Sequence, residues 1–193
     1  MKAEGASMTR STARLFDEYL VASAQAGGLS GGRAAMEQLA RRWHPKLVGH
    51  AMRLTGEREM AEDAVQAAWG EIVKGIARLQ DPRAFPAWAF RIVSRACAKE
   101  IGRAVQRREL AHAYSAEPQE TASQPVEPSG GDRLRFAIRQ LPPGERAAIA
   151  LHHFEELRVA EVAVALDVPV GTVKSRLANA RTRLRAILEG ENP

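Results

Sequence analysis

The chain has 193 residues, enough for one medium domain or two small ones. Its 45% hydrophobic and 26% charged residues mark an ordinary globular composition rather than a disordered one. One cysteine, Cys97, excludes an intramolecular disulfide and a cysteine-rich zinc site, and no run approaches the ~20 apolar residues of a membrane span. The polar stretch 1–12 lacks the apolar core of a signal peptide, so the expected compartment is the cytoplasm without membrane insertion, and the net charge of +5 suits a polyanionic partner.

Helical periodicity dominates, and period-two alternation is almost absent. Ala13 to Gln25 predicts a first helix, ended by Gly27-Gly28. Arg33 to Leu54 predicts a second, with Met36, Leu39, Ala40, Trp43, Leu47 and Ala51 on one face and a kink near Trp43-His44 caused by Pro45. Glu59 to Leu79 predicts a third, with Ala61, Ala64, Val65, Ala68, Ile72 and Ile76 inward. Asp81 is a candidate N-cap for a fourth helix that runs through Trp88, Ile92, Ala96 and Ile101 to about Leu110. Residues 112–132 then carry four acids, no Lys or Arg, three prolines and a Gly-Gly pair, which predicts a flexible acidic linker. Beyond it, short helices are expected over Arg133 to Gln140, Gly144 to Phe154 and Val159 to Leu166. A turn at Asp167-Val168-Pro169 leads into a last helix over Gly171 to Leu188, with Val173, Leu177, Ala180 and Leu184 inward. The expectation is an all-α chain of two small basic domains, 1–111 (net +6) and 133–193 (net +3), joined by a linker of net −4.

Two constellations carry function. The helices at 159–166 and 171–188 flank a tight turn, the pattern of a helix-turn-helix. The second of them bears Lys174, Arg176, Arg181, Arg183 and Arg185 with no acid before Glu189. With its apolar stripe inward, Thr172, Lys174, Ser175, Arg176, Ala178 and Asn179 come to or near the open face. Arg and Asn grip base edges with paired hydrogen bonds, and Ser and Thr suit phosphates, so this is a candidate DNA-recognition helix. The second constellation is on the fourth helix, where Arg91, Arg95, Lys99, Arg103 and Arg107 recur every four residues, followed by Arg108. Such a stripe repels itself until a partner such as a phosphate backbone neutralises it. Of the aromatics at its start, Trp88 suits the core, whereas Phe85 is the better candidate for stacking on an unpaired base. His152-His153 with Glu155-Glu156 is weak as a metal site, because neighbouring helical residues point ~100° apart. With no P-loop or nucleophile motif either, no metal, cofactor or catalytic role is expected.

The chain resembles the extracytoplasmic-function (ECF) sigma factors of bacterial RNA polymerase. In the first half the resemblance rests on Leu54-Thr55-Gly56, on Ala61-Glu62-Asp63-Ala64-Val65-Gln66, and on the stretch from Asp81-Pro82-Arg83 through Trp88 to Ile92. In the second half it rests on Leu141-Pro142-Pro143-Gly144-Glu145-Arg146, on Val159 to Ala163, and on the run from Val168-Pro169 through Gly171-Thr172-Val173-Lys174-Ser175-Arg176-Leu177. It implies that 1–111 is region two, a helical bundle that docks on the polymerase clamp helices through Asp63 and Gln66 and helps to open the minus-ten element. Phe85, Arg91, Arg95, Lys99 and Arg103 would face DNA there. It implies that 133–193 is region four, reading the minus-thirty-five element with Thr172, Lys174, Ser175, Arg176, Asn179 and Arg181 and touching the polymerase flap. The linker would thread the polymerase cleft, and an anti-sigma factor is an implied partner.

The chain departs from the family in having Ala67-Ala68-Trp69-Gly70 after Gln66, and in carrying Arg95 and Lys99 where relatives often have Asn and Asp. The latter pair adds attraction for DNA and takes away a base-reading amide. Two other readings stand beside the initiation factor: a sigma-like decoy that sequesters an anti-sigma factor, and a stand-alone helix-turn-helix regulator.

Overall fold

The structure is a computed structural model and describes residues 2–27, 31–114 and 130–189. Among these it contains helices and no strand. The order is α1 (Lys2–Ala26), α2 (Gly31–Thr55), α3 (Arg58–Gly75), α4 (Phe85–Tyr114), α5 (Gly130–Gln140), α6 (Pro143–Ile149), α7 (Val159–Leu166) and α8 (Val170–Glu189). Short 3-10 turns, Ile76–Arg78 and Pro82–Ala84, join α3 to α4, and α6 widens into a π-turn over Ala150–Phe154. Residues 112–114 continue α4 and 130–132 open α5, and the rest of the expected linker, 115–129, lies outside the described residues. Among the described residues no helix is long and apolar enough to cross a membrane.

Helices α1 to α4 form one bundle. The inward stripes of α2 and α3 are as the periodicity predicts: Leu39, Trp43, Leu47 and Ala51 from α2 meet Ala61, Ala64, Val65, Ala68 and Ile72 from α3, all buried. The small residues on α3 let the helix axes approach closely, and α4 closes the core with Phe85, Ala89, Phe90, Val93 and Cys97. Trp43 is the hub. Phe85 meets it edge-on at 5.2 Å between centroids and Phe90 at 5.8 Å, within the geometry that aromatic quadrupoles favour. Helix α1 buries Leu20 and Val21, pairs Asp17 with Arg42 at 2.8 Å, and uses Gln25 Nε2 to donate to the carbonyls of Ile76 and Leu79. The Ile76 carbonyl also accepts from the Leu79 N–H at 3.1 Å, so Gln25 adds a second bond there and ties α1 to the turn after α3.

Local signals set the boundaries. Gly56 takes φ +77° and donates to the Met52 carbonyl, closing α2 in the left-handed cap that glycine adopts without strain. Asp81 accepts from the Arg83 backbone N–H at 2.9 Å and so caps the 3-10 turn Pro82–Ala84 that leads into α4, rather than α4 itself, with Pro82 in its first turn. Helix α2 extends on both sides of Pro45. The proline costs one rung of the helix but sits on the exposed side, where water can take up the freed carbonyl.

Helices α5 to α8 pack around Ile138, Leu141, Ala148, Leu151, Val162, Val173 and Leu177. Val173, Leu177 and Ala180 of α8 are buried as the spacing predicts, with Leu184 half-buried, and Val162 and Ala163 of α7 are buried beside them. The turn between α7 and α8 is built by Asp167, whose φ is +56°, and by the Val168 N–H, which donates to the Ala163 carbonyl at 3.1 Å. Pro169 then supplies the carbonyl that accepts the first α8 bond, from Val173. The apolar interiors of the two bundles join into one continuous core, because α7 lies along α4.

One polar group sits in the middle of that core. His50 is fully buried, touches the Phe90 ring at 5.1 Å, and places Nε2 3.0 Å from Ser94 Oγ, while Nδ1 has no partner. Burial, with a smaller contribution from the Arg53 charge, lowers its pKa from 6.5 to about 3. The folded state therefore keeps His50 neutral while the unfolded chain takes up a proton below pH ~6.5, so stability falls as pH drops from that value towards 3. At ~1.4 kcal/mol per pH unit, about 2 kcal/mol is lost by pH 5. Urea unfolding at pH 7 and pH 5 is expected to show this loss in the wild type and a smaller one in His50→Gln, whose side chain does not titrate.

Candidate nucleic-acid interface

Helix α8 turns its apolar stripe inward, which fixes the rest of its surface. Lys174, Ser175, Ala178, Asn179 and Arg181 are exposed, and Thr172 and Arg176 are half-buried. The side chains differ in availability. Ser175 Oγ donates to the Thr172 carbonyl at 3.0 Å, and Arg181 Nε donates to the Leu177 carbonyl at 3.1 Å. Arg183 pairs with Glu145 at 3.3 Å, and the Arg176 guanidinium lies against Gly144. Among the described residues, Lys174 and Asn179 have no hydrogen-bond or ion-pair partner, so the first half of α8 presents one mobile cation and one bidentate amide to solvent.

The basic stripe on α4 is divided in two. Lys99, Arg103, Arg107 and Arg108 are exposed along its C-terminal half, with Arg103 held by Glu100 at 2.7 Å and Arg108 by Glu57 at 3.4 Å. Nearer the start, Arg91 and Arg95 both donate to Asp167 Oδ2, at 3.2 and 2.9 Å. A third surface is the outer face of α3, where Glu59, Glu62, Asp63 and Gln66 are exposed opposite the Ala61–Ala64–Val65–Ala68 stripe. Trp69, one of the departures from the family, is half-buried and donates its indole N–H to His44 Nδ1 at 3.2 Å.

Two sequence models match the chain in order: "Sigma-70 region 2" over residues 39–108 and "Sigma-70, region 4" over 131–184. The ECF RNA polymerase sigma factor SigM of Mycobacterium tuberculosis is 32% identical over 167 residues, covering 84% of this chain and 82% of the relative. This chain belongs to the ECF RNA polymerase sigma factors. The RNA polymerase sigma-H factor of Pseudomonas aeruginosa is 28% identical over 186 residues, covering 90% of this chain and 94% of that one. Two solved structures share the fold. CnrH in complex with the cytosolic domain of CnrY has a TM-score of 0.66 at 24% identity, over 92% of this chain and 99% of that one. The sigma factor RpoE in complex with the anti-sigma factor NepR, from Bartonella quintana, has 0.65 at 22%, over 81% and 98%.

As a sigma factor the protein binds core RNA polymerase and directs it to promoter DNA. Neither the stand-alone regulator nor the decoy gains support, since both sigma regions are present in order. One expected contact is corrected by the structure. Phe85 is 0% exposed, with its ring between Trp43 and Trp88, and it is not placed to stack on a base. The break at Asp81-Pro82 does not expose it, because α4 begins at Phe85 and its first turn already faces the core. Trp88 is instead half-buried, with its six-membered ring against Gly75. The sequence reading also missed three sigma-factor residues, Arg53, Glu155 and Asp167, which tie the two bundles together. Arg53 and Glu155 lie 102 positions apart, and Asp167 lies 76 and 72 positions from Arg91 and Arg95, so no local pattern announces these ties.

Removing the Phe85 ring leaves a cavity beside Trp43. Phe85→Ala is expected to cost about 3–5 kcal/mol in urea unfolding, the signature of a core residue rather than of a surface contact.

Proposed function

We propose that this sigma factor divides promoter recognition between its two helical units, 1–111 and 133–193, joined by the acidic segment 112–132. The first half of α8 enters the major groove of the minus-thirty-five element. Asn179 there suits an adenine edge, Lys174 suits a phosphate or guanine, and Thr172, Ser175, Arg176 and Arg181 flank them. The α4 stripe of Arg91, Arg95, Lys99 and Arg103 takes the backbone of the minus-ten element as its strands separate, recovering unstacking cost through phosphate contacts. The exposed α3 face with Asp63 and Gln66 docks on the clamp helices, and the helix-turn-helix unit meets the flap. The observation that carries the reading is the ordered pair of sigma regions with an unpartnered Lys174 and Asn179 on the open face of α8.

The factor contributes no catalytic step of its own and works in the cytoplasm, where the polymerase is. A protein antagonist is part of the reading. CnrH and RpoE, which share this fold, were solved with the cytosolic domain of CnrY and with the anti-sigma factor NepR.

The test combines purified sigma factor, core polymerase and fragmented genomic DNA of the source organism, with sequencing of transcript 5′ ends. Discrete starts absent from core alone, with two shared upstream elements, are the expected result; core binding without any such starts overturns the proposal. Asn179→Ala is expected to weaken promoter binding by about 1–3 kcal/mol and relax the preference at one upstream position. Lys174→Ala is expected to lower the salt slope by about one without changing the preferred sequence, if its contact is a phosphate. Footprinting across a salt series reads both.

A further inference from the structure

The basic face of α4 is partly occupied by the protein's own second bundle. Helix α7 lies along α4, and the carboxylate at its end, Asp167, accepts from both Arg91 and Arg95 through a single oxygen. Asp167 sits at φ +56°, where Gly or Asn is the steric default; an Asp there fixes a carboxylate at the negative end of the α7 dipole. A second tie lies one helix away. Arg53 of α2 donates to Glu155 at 2.7 Å and stacks on Phe154 at 4.3 Å, and the Glu155 side chain is only 7% exposed.

Between the ties the seam is loosely filled. A cavity of about 260 Å³ separates α4 from α6 and α8, with Arg95, Arg146 and Arg176 on its walls. Arg91, which shares the Asp167 oxygen with Arg95, has a buried Nε without a partner. One carboxylate oxygen shared by two guanidiniums, beside a cavity, makes an incomplete bond set that a phosphate backbone with more acceptor oxygens can improve upon. The exposed pairs of Arg91 and Arg95 with Asp167 shift an equilibrium only about two- to fivefold each, so Asp167 tunes the closed form rather than locking it.

We infer that Asp167 is an internal stand-in for a promoter phosphate: in the free chain it holds Arg91 and Arg95, draws the helix-turn-helix unit over α4, and masks part of the minus-ten surface until DNA displaces it. This rests on the reading of Arg91 and Arg95 as DNA contacts. Release frees both guanidiniums, and it separates α8 from α4 so that the two can reach separate promoter elements.

The experiment uses the full chain with Glu71→Cys and Thr182→Cys, two exposed positions outside the proposed contacts, carrying a donor and an acceptor dye. Cys97 stays unlabelled, because it is buried and its thiol pKa is pushed up to about 12. Asp167→Asn keeps the left-handed turn and removes the charge, and Glu155→Gln removes the second tie at equal size. Energy transfer is expected to fall in Asp167→Asn, to fall further in the double variant, and to fall in the wild type as salt rises to about 0.5 M. At fixed low salt, Asp167→Asn is expected to bind a short mixed-sequence single-stranded DNA about two- to fivefold more tightly, a gain that adding Arg91→Ala and Arg95→Ala removes. Unchanged transfer in the double variant and in salt overturns the clasp. Opening without tighter DNA binding overturns the masking and traces the fault to the DNA reading of Arg91 and Arg95. The salt series gives the opening readout without any substitution.

Discussion

Helix α4 has to satisfy two demands at once. One face supplies Phe85, Ala89, Phe90, Val93 and Cys97 to the core around Trp43, and the other carries a guanidinium or ammonium group every four residues. A helix with both faces this strongly marked can take only one rotation about its axis: the apolar stripe must be buried, and the charge stripe then has one direction left. That rotation sets the direction of the basic stripe and turns Arg91 and Arg95 towards Asp167. Its like charges repel at spacing four, so the helix is most comfortable when a negative partner lies along it. The structure shows one such partner, Asp167, and the proposed function adds another, promoter DNA.

The recognition unit depends on a different device. Helix α7 is only eight residues long, too short to hold itself in water, and it is fixed by burial of Val162 and Ala163, by the Glu161 carboxylate accepting from the Arg158 N–H at 2.7 Å, and by the left-handed Asp167 at its end. With α7 held, the turn sets the direction of α8, and Val173, Leu177 and Ala180 fix its rotation. Lys174 and Asn179 are left outward for that reason. Arg176 is half-buried, with its guanidinium against Gly144 and on the cavity wall.

The two halves of the molecule meet where their chemistry is complementary. The α1–α4 bundle offers Arg53, Arg91 and Arg95, and the α5–α8 bundle offers Glu155 and Asp167 although it is basic overall. Net charge alone predicts repulsion between two basic units. Placement of two carboxylates at the contact reverses the sign locally, because interactions at ~3 Å outweigh those spread over a Debye length. Glu155 is the costlier of the two to bury. Desolvation raises its pKa, with the Arg53 charge and hydrogen bond opposing.

Much of this was legible in the sequence, and for definite reasons. Helical periodicity placed Leu39, Trp43, Leu47 and Ala51, then Ala61 to Ile72, then Val173, Leu177 and Ala180, because burial of a stripe is decided by residues three and four apart. The cap at Asp81 and the turn at 167–169 are likewise local chemistry. The family followed from two ordered motif blocks. Phe85 was misplaced because a helix start beside a proline reads as exposed, whereas burial there depends on Trp43, forty-two positions away and on another helix. The ties of Arg53 to Glu155 and of Arg91 and Arg95 to Asp167 were invisible for the same reason. The sequence by itself determined which helices form, which faces they bury and which family they serve, since those depend on short-range spacing and motif order. Only the tertiary structure decided which charges are left open to a partner, because that depends on long-range geometry between elements that share no sequence pattern.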